Sequence, residues 1–121
     1  MSNFQPIEES ALVVKINRTY REGMSAEELY EIVRGIWKLD KSKLDKIQYV
    51  FGVHNGIIKA VYEVAHWHDA GATPYKFRQH KPETLKARSE FVGTPASDEM
   101  QAKYLGKRIE PTYQTTNYYN C

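Results

Sequence analysis

Cysteine is almost absent from this 121-residue chain: Cys121, the final residue, is the only one. No disulfide can close within the chain, which fits a reducing compartment. Long apolar runs are also missing, and nothing approaches the roughly 20 residues that a membrane-crossing helix needs. The opening stretch, MSNFQPIEES, is polar and acidic, without the basic and apolar regions of a secretory signal. The expectation is a cytoplasmic chain with no membrane partner. An excess of one charge is lacking too: 17 Lys and Arg stand against 15 Asp and Glu, a net +2, which neither demands nor excludes nucleic acid. No P-loop, GxGxxG, HExxH, CxxC or GxSxG occurs, so no motif argues for an enzyme or for a cofactor. The histidines of His66-Trp67-His68-Asp69 alternate on a strand and share a face, but a metal would need a third ligand from Asp69, His80 or His54. Strand-end histidines without a metal are far commoner, and no metal is assigned. Glu63, Glu90 and Lys59 make an equally weak case for the paired carboxylates and lysine of a nuclease, because surface pairs look the same.

Aromatic residues, in contrast, are plentiful, with 9 Tyr and 2 Trp. Such side chains suit a core, an interface or a base-stacking surface. The strongest local signal is a β-hairpin over residues 48–68, QYVFGVHNGIIKAVYEVAHWH, turning at Asn55-Gly56. A two-residue turn puts His54 opposite Ile57, Val53 opposite Ile58, Phe51 opposite Ala60 and Tyr49 opposite Tyr62. One face then holds Tyr49, Phe51, Val53, Ile58, Ala60, Tyr62 and Val64. The other holds Gln48, Val50, Gly52, Lys59, Val61 and Glu63.

Before the hairpin, residues 11–16, ALVVKI, read as a strand with Leu12, Val14 and Ile16 on one face. A loop, NRTYREG, follows. Ser25-Ala26-Glu27-Glu28 is a capping box that opens a helix expected to run to about Trp37, with Leu29, Ile32, Val33 and Ile36 as its buried stripe. Gly35 near its end either admits a close neighbour or begins termination. Asp40 caps one further turn. After the hairpin comes a Pro- and Gly-punctuated loop, residues 70–82, which carries Tyr75, Lys76, Arg78, His80 and Lys81 and is the most basic segment. RSEFV, residues 88–92, reads as a strand. Ser97-Asp98-Glu99 opens a short helix ended by Gly106. Lys107-Arg108-Ile109 is a candidate return to the sheet, and residues 113–121 form a polar, tyrosine-rich tail. The class is therefore α+β: a small curved, mostly antiparallel sheet or partial β-barrel, with one main helix and one or two short ones. Residues 1–10 are expected as a flexible arm and residues 11–121 as a single domain.

The residues point to a binding pocket more than to catalysis. Arg18, Tyr20 and Arg21 crowd one loop, and loops on a rigid scaffold are where sites sit. Trp37 and Trp67 offer planes for a flat ring, and guanidinium forks suit phosphate oxygens. Trp67 shares a strand face with Lys59, and Gly52 opposite Lys59 leaves space for a pocket floor or marks a bulge. Packing of both tryptophans in the core is at least as good a reading.

Two resemblances extend this. The stretch YVFGVHNGIIKAVYEVAHW resembles the central hairpin of PUA-like domains, the superfamily with the EVE, ASCH and YTH families, whose members bind RNA or read modified bases in an aromatic cage. NRTYREGMSAEELYEIVRGIWKL, the hairpin, RSEFVG and YLGKRI together resemble a segment of uncharacterised bacterial and phage proteins, sometimes found beside a GIY-YIG nuclease domain. Tyr104-Leu105-Gly106-Lys107 is similar to one half of the GIY-YIG signature, but the other half and its catalytic Arg and Glu pattern are absent. The resemblance adds Arg34 and Lys107 to Arg18, Tyr20, Arg21, Trp37, Lys59 and Trp67 as ligand-binding candidates. The PUA-like resemblance, with the arginines and tryptophans, implies a non-enzymatic module for nucleic acid, with a modified base as one target, or for a nucleotide; the second resemblance implies a phage or host-defence setting. The rivals are a sponge for a free nucleotide signal, a protein-binding inhibitor of a host enzyme with a tyrosine-rich interface, and an enzyme with a metal at His66 and His68; a homo-oligomer or a partner protein is a further expectation.

Overall fold

The computed structural model describes residues 4–77 and 79–121; residues 1–3 and Arg78, expected in the basic loop, lie outside the described residues. Among the described residues six strands form one mixed sheet curled into a half-barrel, with a few short helices, so the chain is α+β. In chain order the elements are β1 (Ala11–Lys15), α1 (Ala26–Arg34), β2 (Gly35–Trp37), a 3-10 helix (Lys41–Lys46), β3 (Tyr49–His54), β4 (Ile57–Asp69), α2 (Pro82–Leu85), β5 (Ser89–Pro95), α3 (Asp98–Tyr104) and β6 (Thr116–Tyr119). The strand order is β2-β5-β4-β3-β1-β6. Among the described residues only the β1–β3 pair is parallel, and the chain between them supplies the helical crossover that parallel neighbours need. No helix among the described residues is long and apolar enough to cross a membrane.

Local chemistry sets the helix starts. Ser25 accepts from the Glu28 amide at 3.1 Å, Asp40 from the Ser42 amide at 3.0 Å and Ser97 from the Met100 amide at 3.3 Å. The first helix stops three residues short of the expected end. Gly35–Trp37 becomes an edge strand on β5, so Trp37 is a strand residue and Gly35 is where helix turns into sheet. A Cβ at Gly35 would stand 2.3 Å from the Tyr75 hydroxyl and 2.9 Å from Glu90 Cβ, which is why glycine occupies this crossing.

The hairpin turns at Asn55-Gly56 as expected, but its register does not continue. His54 faces Ile57 and Val53 faces Ile58; then Gly52 faces Ala60, Phe51 faces Val61 and Tyr49 faces Glu63, leaving Lys59 as the extra residue of a bulge. The expected pairing of Phe51 with Ala60 and of Tyr49 with Tyr62 is thus corrected. The cause is that both faces of the sheet are covered. Under α1, Val50, Ala60 and Tyr62 join Leu12, Val14, Ile16, Ile32, Val33 and Phe91. On the opposite face, Phe51, Val53, Ile58 and Val61 join Ala11, Val13, Ala96, Tyr104 and Ile109, with the Phe51 and Tyr104 ring centroids 4.8 Å apart. One skipped residue lets both apolar sets of β4 be buried, and each buried Phe or Ile is worth about 1.5–3 kcal/mol. A strand covered on both faces reads as a continuous apolar run, and Ala11 to Val14 are wholly buried.

The polar tail contributes the edge strand β6, antiparallel to β1, which composition did not announce. Arg108 makes only a single bridge to Ile57. In the segment expected as a loose arm, Gln5 N–H donates to Arg108 O beyond α3 at 2.7 Å, and Lys103 of α3 donates to Glu9 at 3.0 Å.

Candidate functional site

Curling the sheet brings its two edges, β2 and β6, towards each other. Past β2 the chain is fastened to β6: the Asp40 amide donates to the Tyr118 hydroxyl at 2.9 Å, and Lys43 Nζ donates to Cys121 O at 3.2 Å. At the other end of this seam a cavity of about 470 Å³ opens, with Trp37 on one side and Lys15 and Thr115 on the other. Ile32 and Ile36 supply its apolar lining, and Asn17, Arg18 and Thr19 come from the loop after β1.

That loop is held by its surroundings. The Thr19 and Tyr20 amides donate to Ile16 O at 3.2 and 2.9 Å, and Asn17 Oδ1 accepts from the Asn55 amide at 2.8 Å. The Tyr20 ring lies 4.8 Å from that of His54, and Lys59 Nζ sits 5.4 Å from the Tyr20 centroid and 3.7 Å from Glu22. Trp37 donates its indole N–H to Val33 O at 2.7 Å, which fixes the plane of the half-buried ring. Lys15 donates to Thr112 O. The guanidinium of Arg18 is exposed and forms no hydrogen bond or ion pair with a described residue. Four other cavities of the described residues each include a carboxylate: Asp45 and Glu63, Asp69 and Glu83, or Glu110. The seam cavity combines cations, amide and hydroxyl groups and a fixed indole with no carboxylate.

The candidate residues therefore divide. Arg18 and Trp37 share the seam cavity, and Tyr20 and Lys59 brace its loop from behind. Arg21 is engaged with Glu28. Lys107 is exposed, and its carbonyl accepts from the Ile58 amide at 2.9 Å, beside the far hairpin face. Trp67 packs edge-on against Phe91 at 5.4 Å and lines a separate cavity with Gln48, Glu63 and His66; its indole N–H is buried without a partner among the described residues. The pocket floor expected at Gly52, Lys59 and Trp67 does not form, because Val33 occupies the space over Gly52: a Cβ there would stand 2.6 Å from Val33 Cγ2.

Arg34 lies inside the molecule. It is 5% exposed, forms an ion pair at 3.3 Å with the fully buried Glu90, and donates to Thr73 Oγ1 at 2.6 Å and Pro74 O at 2.8 Å. Its guanidinium also covers the Tyr75 ring at 4.0 Å. Glu90 accepts from the Gly71 amide at 2.7 Å, the Thr73 amide at 3.1 Å, the Tyr75 hydroxyl at 3.0 Å and the Thr73 hydroxyl. Burial pushes the Glu90 carboxyl up, but the bonds from Thr73, Gly71 and Tyr75 and the Arg34 charge outweigh it and hold the group below the usual glutamate range. Glu31, 4% exposed, captures the amides of Lys76 and Phe77 at 2.7 and 3.1 Å. Two inward carboxylates thus tie the basic loop to the core. Helical spacing puts Glu31 and Arg34 opposite the Leu29, Ile32, Val33 and Ile36 stripe, where a solvated face is the ordinary expectation; the one available hint was a glutamate inside the apolar run RSEFV.

Glu63 and Glu90 do not converge, for Glu63 pairs with Thr94 while Glu90 pairs with His68 further along the ladder. The His66 and His68 rings are exposed and 6.3 Å apart, and no three His, Cys, Asp or Glu among the described residues gather in a way that could hold a metal ion. In comparisons with known proteins, no family model matches the chain, and neither a curated protein nor a solved structure does.

Proposed function

We propose that the chain is a non-enzymatic binding module whose seam cavity takes a nucleotide, free or as a unit of nucleic acid. The observation that carries this reading is the pairing of an unengaged arginine with a fixed indole in a cavity free of carboxylates. A phosphate meets Arg18, with Lys15 adding positive charge, and the base lies against Trp37, where ring stacking is worth about 1–3 kcal/mol. Asn17, Thr19 and Thr115 supply polar groups that orient the ligand. About 470 Å³ is within the size range of small-ligand sites.

Titration calorimetry with mononucleotides and single-stranded oligonucleotides at low salt tests the reading. Arg18→Ala should weaken binding by about 1.5–3 kcal/mol, the value of a charge-assisted hydrogen bond. Trp37→Phe, which keeps an apolar ring, should weaken it by about 1 kcal/mol or less. Wild-type protein that binds none of these ligands, or an Arg18→Ala variant that binds them unchanged, removes this function.

A further inference from the structure

Resting on that reading, we infer that the site takes a nucleotide with a free end, either a mononucleotide or the terminal unit of a strand, and does not take a unit inside a continuous strand. The reason is the shape of the seam. A strand threaded along the gap between β2 and β6 would need an exit beyond Trp37. There the gap is closed by the Asp40 amide bonded to the Tyr118 hydroxyl at 2.9 Å, and by Lys43, which donates to Cys121 O at 3.2 Å and lies 5.2 Å from the Tyr118 ring. Leu39, Leu44, Tyr118 and Cys121 all pack against the α1-side core, so apolar contacts as well as hydrogen bonds make this closure. These contacts close the gap on that side of the cavity.

The charges agree. A protein that tracks a polynucleotide needs a line of unengaged cations, and its affinity falls steeply with salt. Here Arg21, Arg34, Lys41, Lys59, Lys76 and Lys103 are each paired with a carboxylate, and Lys43 is tied to the Cys121 carbonyl. Lys38, Lys46, Lys81, Lys86, Lys107 and Arg108 are unpaired among the described residues but do not line the cavity, whose two cations are Arg18 and Lys15, the latter engaged by Thr112 O. One phosphate is what such a site neutralises, so the logarithm of affinity should fall against the logarithm of salt concentration with a slope of roughly −1.

The test uses the full chain and calorimetry with three probes: mononucleotides of the four bases, a short linear single-stranded oligonucleotide, and the same oligonucleotide ligated into a circle. A mononucleotide or the linear strand should bind, the circle should bind at least about 10-fold more weakly, and Arg18→Ala should weaken whichever probe binds. A circle that binds as tightly as the linear strand, or a salt slope of several units, overturns the free-end inference and leaves nucleotide binding standing. Failure of all three probes overturns the functional reading as well.

Discussion

Arg34 and Arg18 flank the same helix, one at its end and one in the loop before its cap, yet they meet opposite surroundings. Arg34 is enclosed with Glu90 and surrounded by Thr73, Pro74 and Tyr75, while Arg18 stands in solvent at the mouth of the seam. Taking a charge out of water costs several kcal/mol, which an ion pair offsets only when the remaining donors and acceptors are also met. Around Arg34 and Glu90 they are met by backbone amides, a carbonyl and the hydroxyls of Thr73 and Tyr75, all from one loop. The arginine there is architecture. The exposed arginine has no such partners, and for that reason it is the one a ligand can use.

Breaking the enclosed pair should have the largest effect. Glu90→Ala leaves Arg34 buried without its counter-charge and frees the Gly71 and Thr73 amides, so a loss of about 3–5 kcal/mol is expected in urea unfolding. The pair also carries a pH signature. Because the native Glu90 carboxyl is held below the ordinary 4.5, its contribution is complete above that value and is lost as pH falls through the lower native one. The stability gap between wild type and Glu90→Gln should therefore narrow in acid; a gap that stays constant down to acid unfolding would show that the charge on Glu90 does not matter. Gly35→Ala comes next. Its Cβ would press on the Tyr75 hydroxyl and on Glu90 Cβ, and overpacking of this kind costs about 1–3 kcal/mol. The expected readout is a lower unfolding midpoint together with faster hydrogen exchange at the Gly71 and Thr73 amides. The smallest effect on stability belongs to Arg18→Ala, within about 0.5 kcal/mol, as for a surface side chain without partners. A much larger loss would erase the contrast between the two arginines.

Legibility in the sequence followed the range of the interactions. The Asn55-Gly56 turn, the caps at Ser25, Asp40 and Ser97 and the apolar strand residues 11–16 were all readable, because a turn type or a cap is decided by a few neighbouring residues and their own backbone preferences. Equally local is the side-chain chemistry of Arg18 and Trp37, a cation and an indole plane, from which the proposed binding of a flat, phosphorylated ligand starts.

What they touch was decided by the tertiary structure. The bulge at Lys59 follows from burying β4 on both faces at once, which no pattern within the hairpin requires. A polar tail became β6 because β1 offered an open edge, and Trp37 became a strand residue because β5 offered another. Residues far apart in the chain had to meet before the seam existed, so its cavity had no local signature. The sequence by itself determined the turns, the caps and the chemical repertoire. The pairing of strands, through burial and long-range hydrogen bonding, decided which arginine was enclosed and which was left facing a cavity.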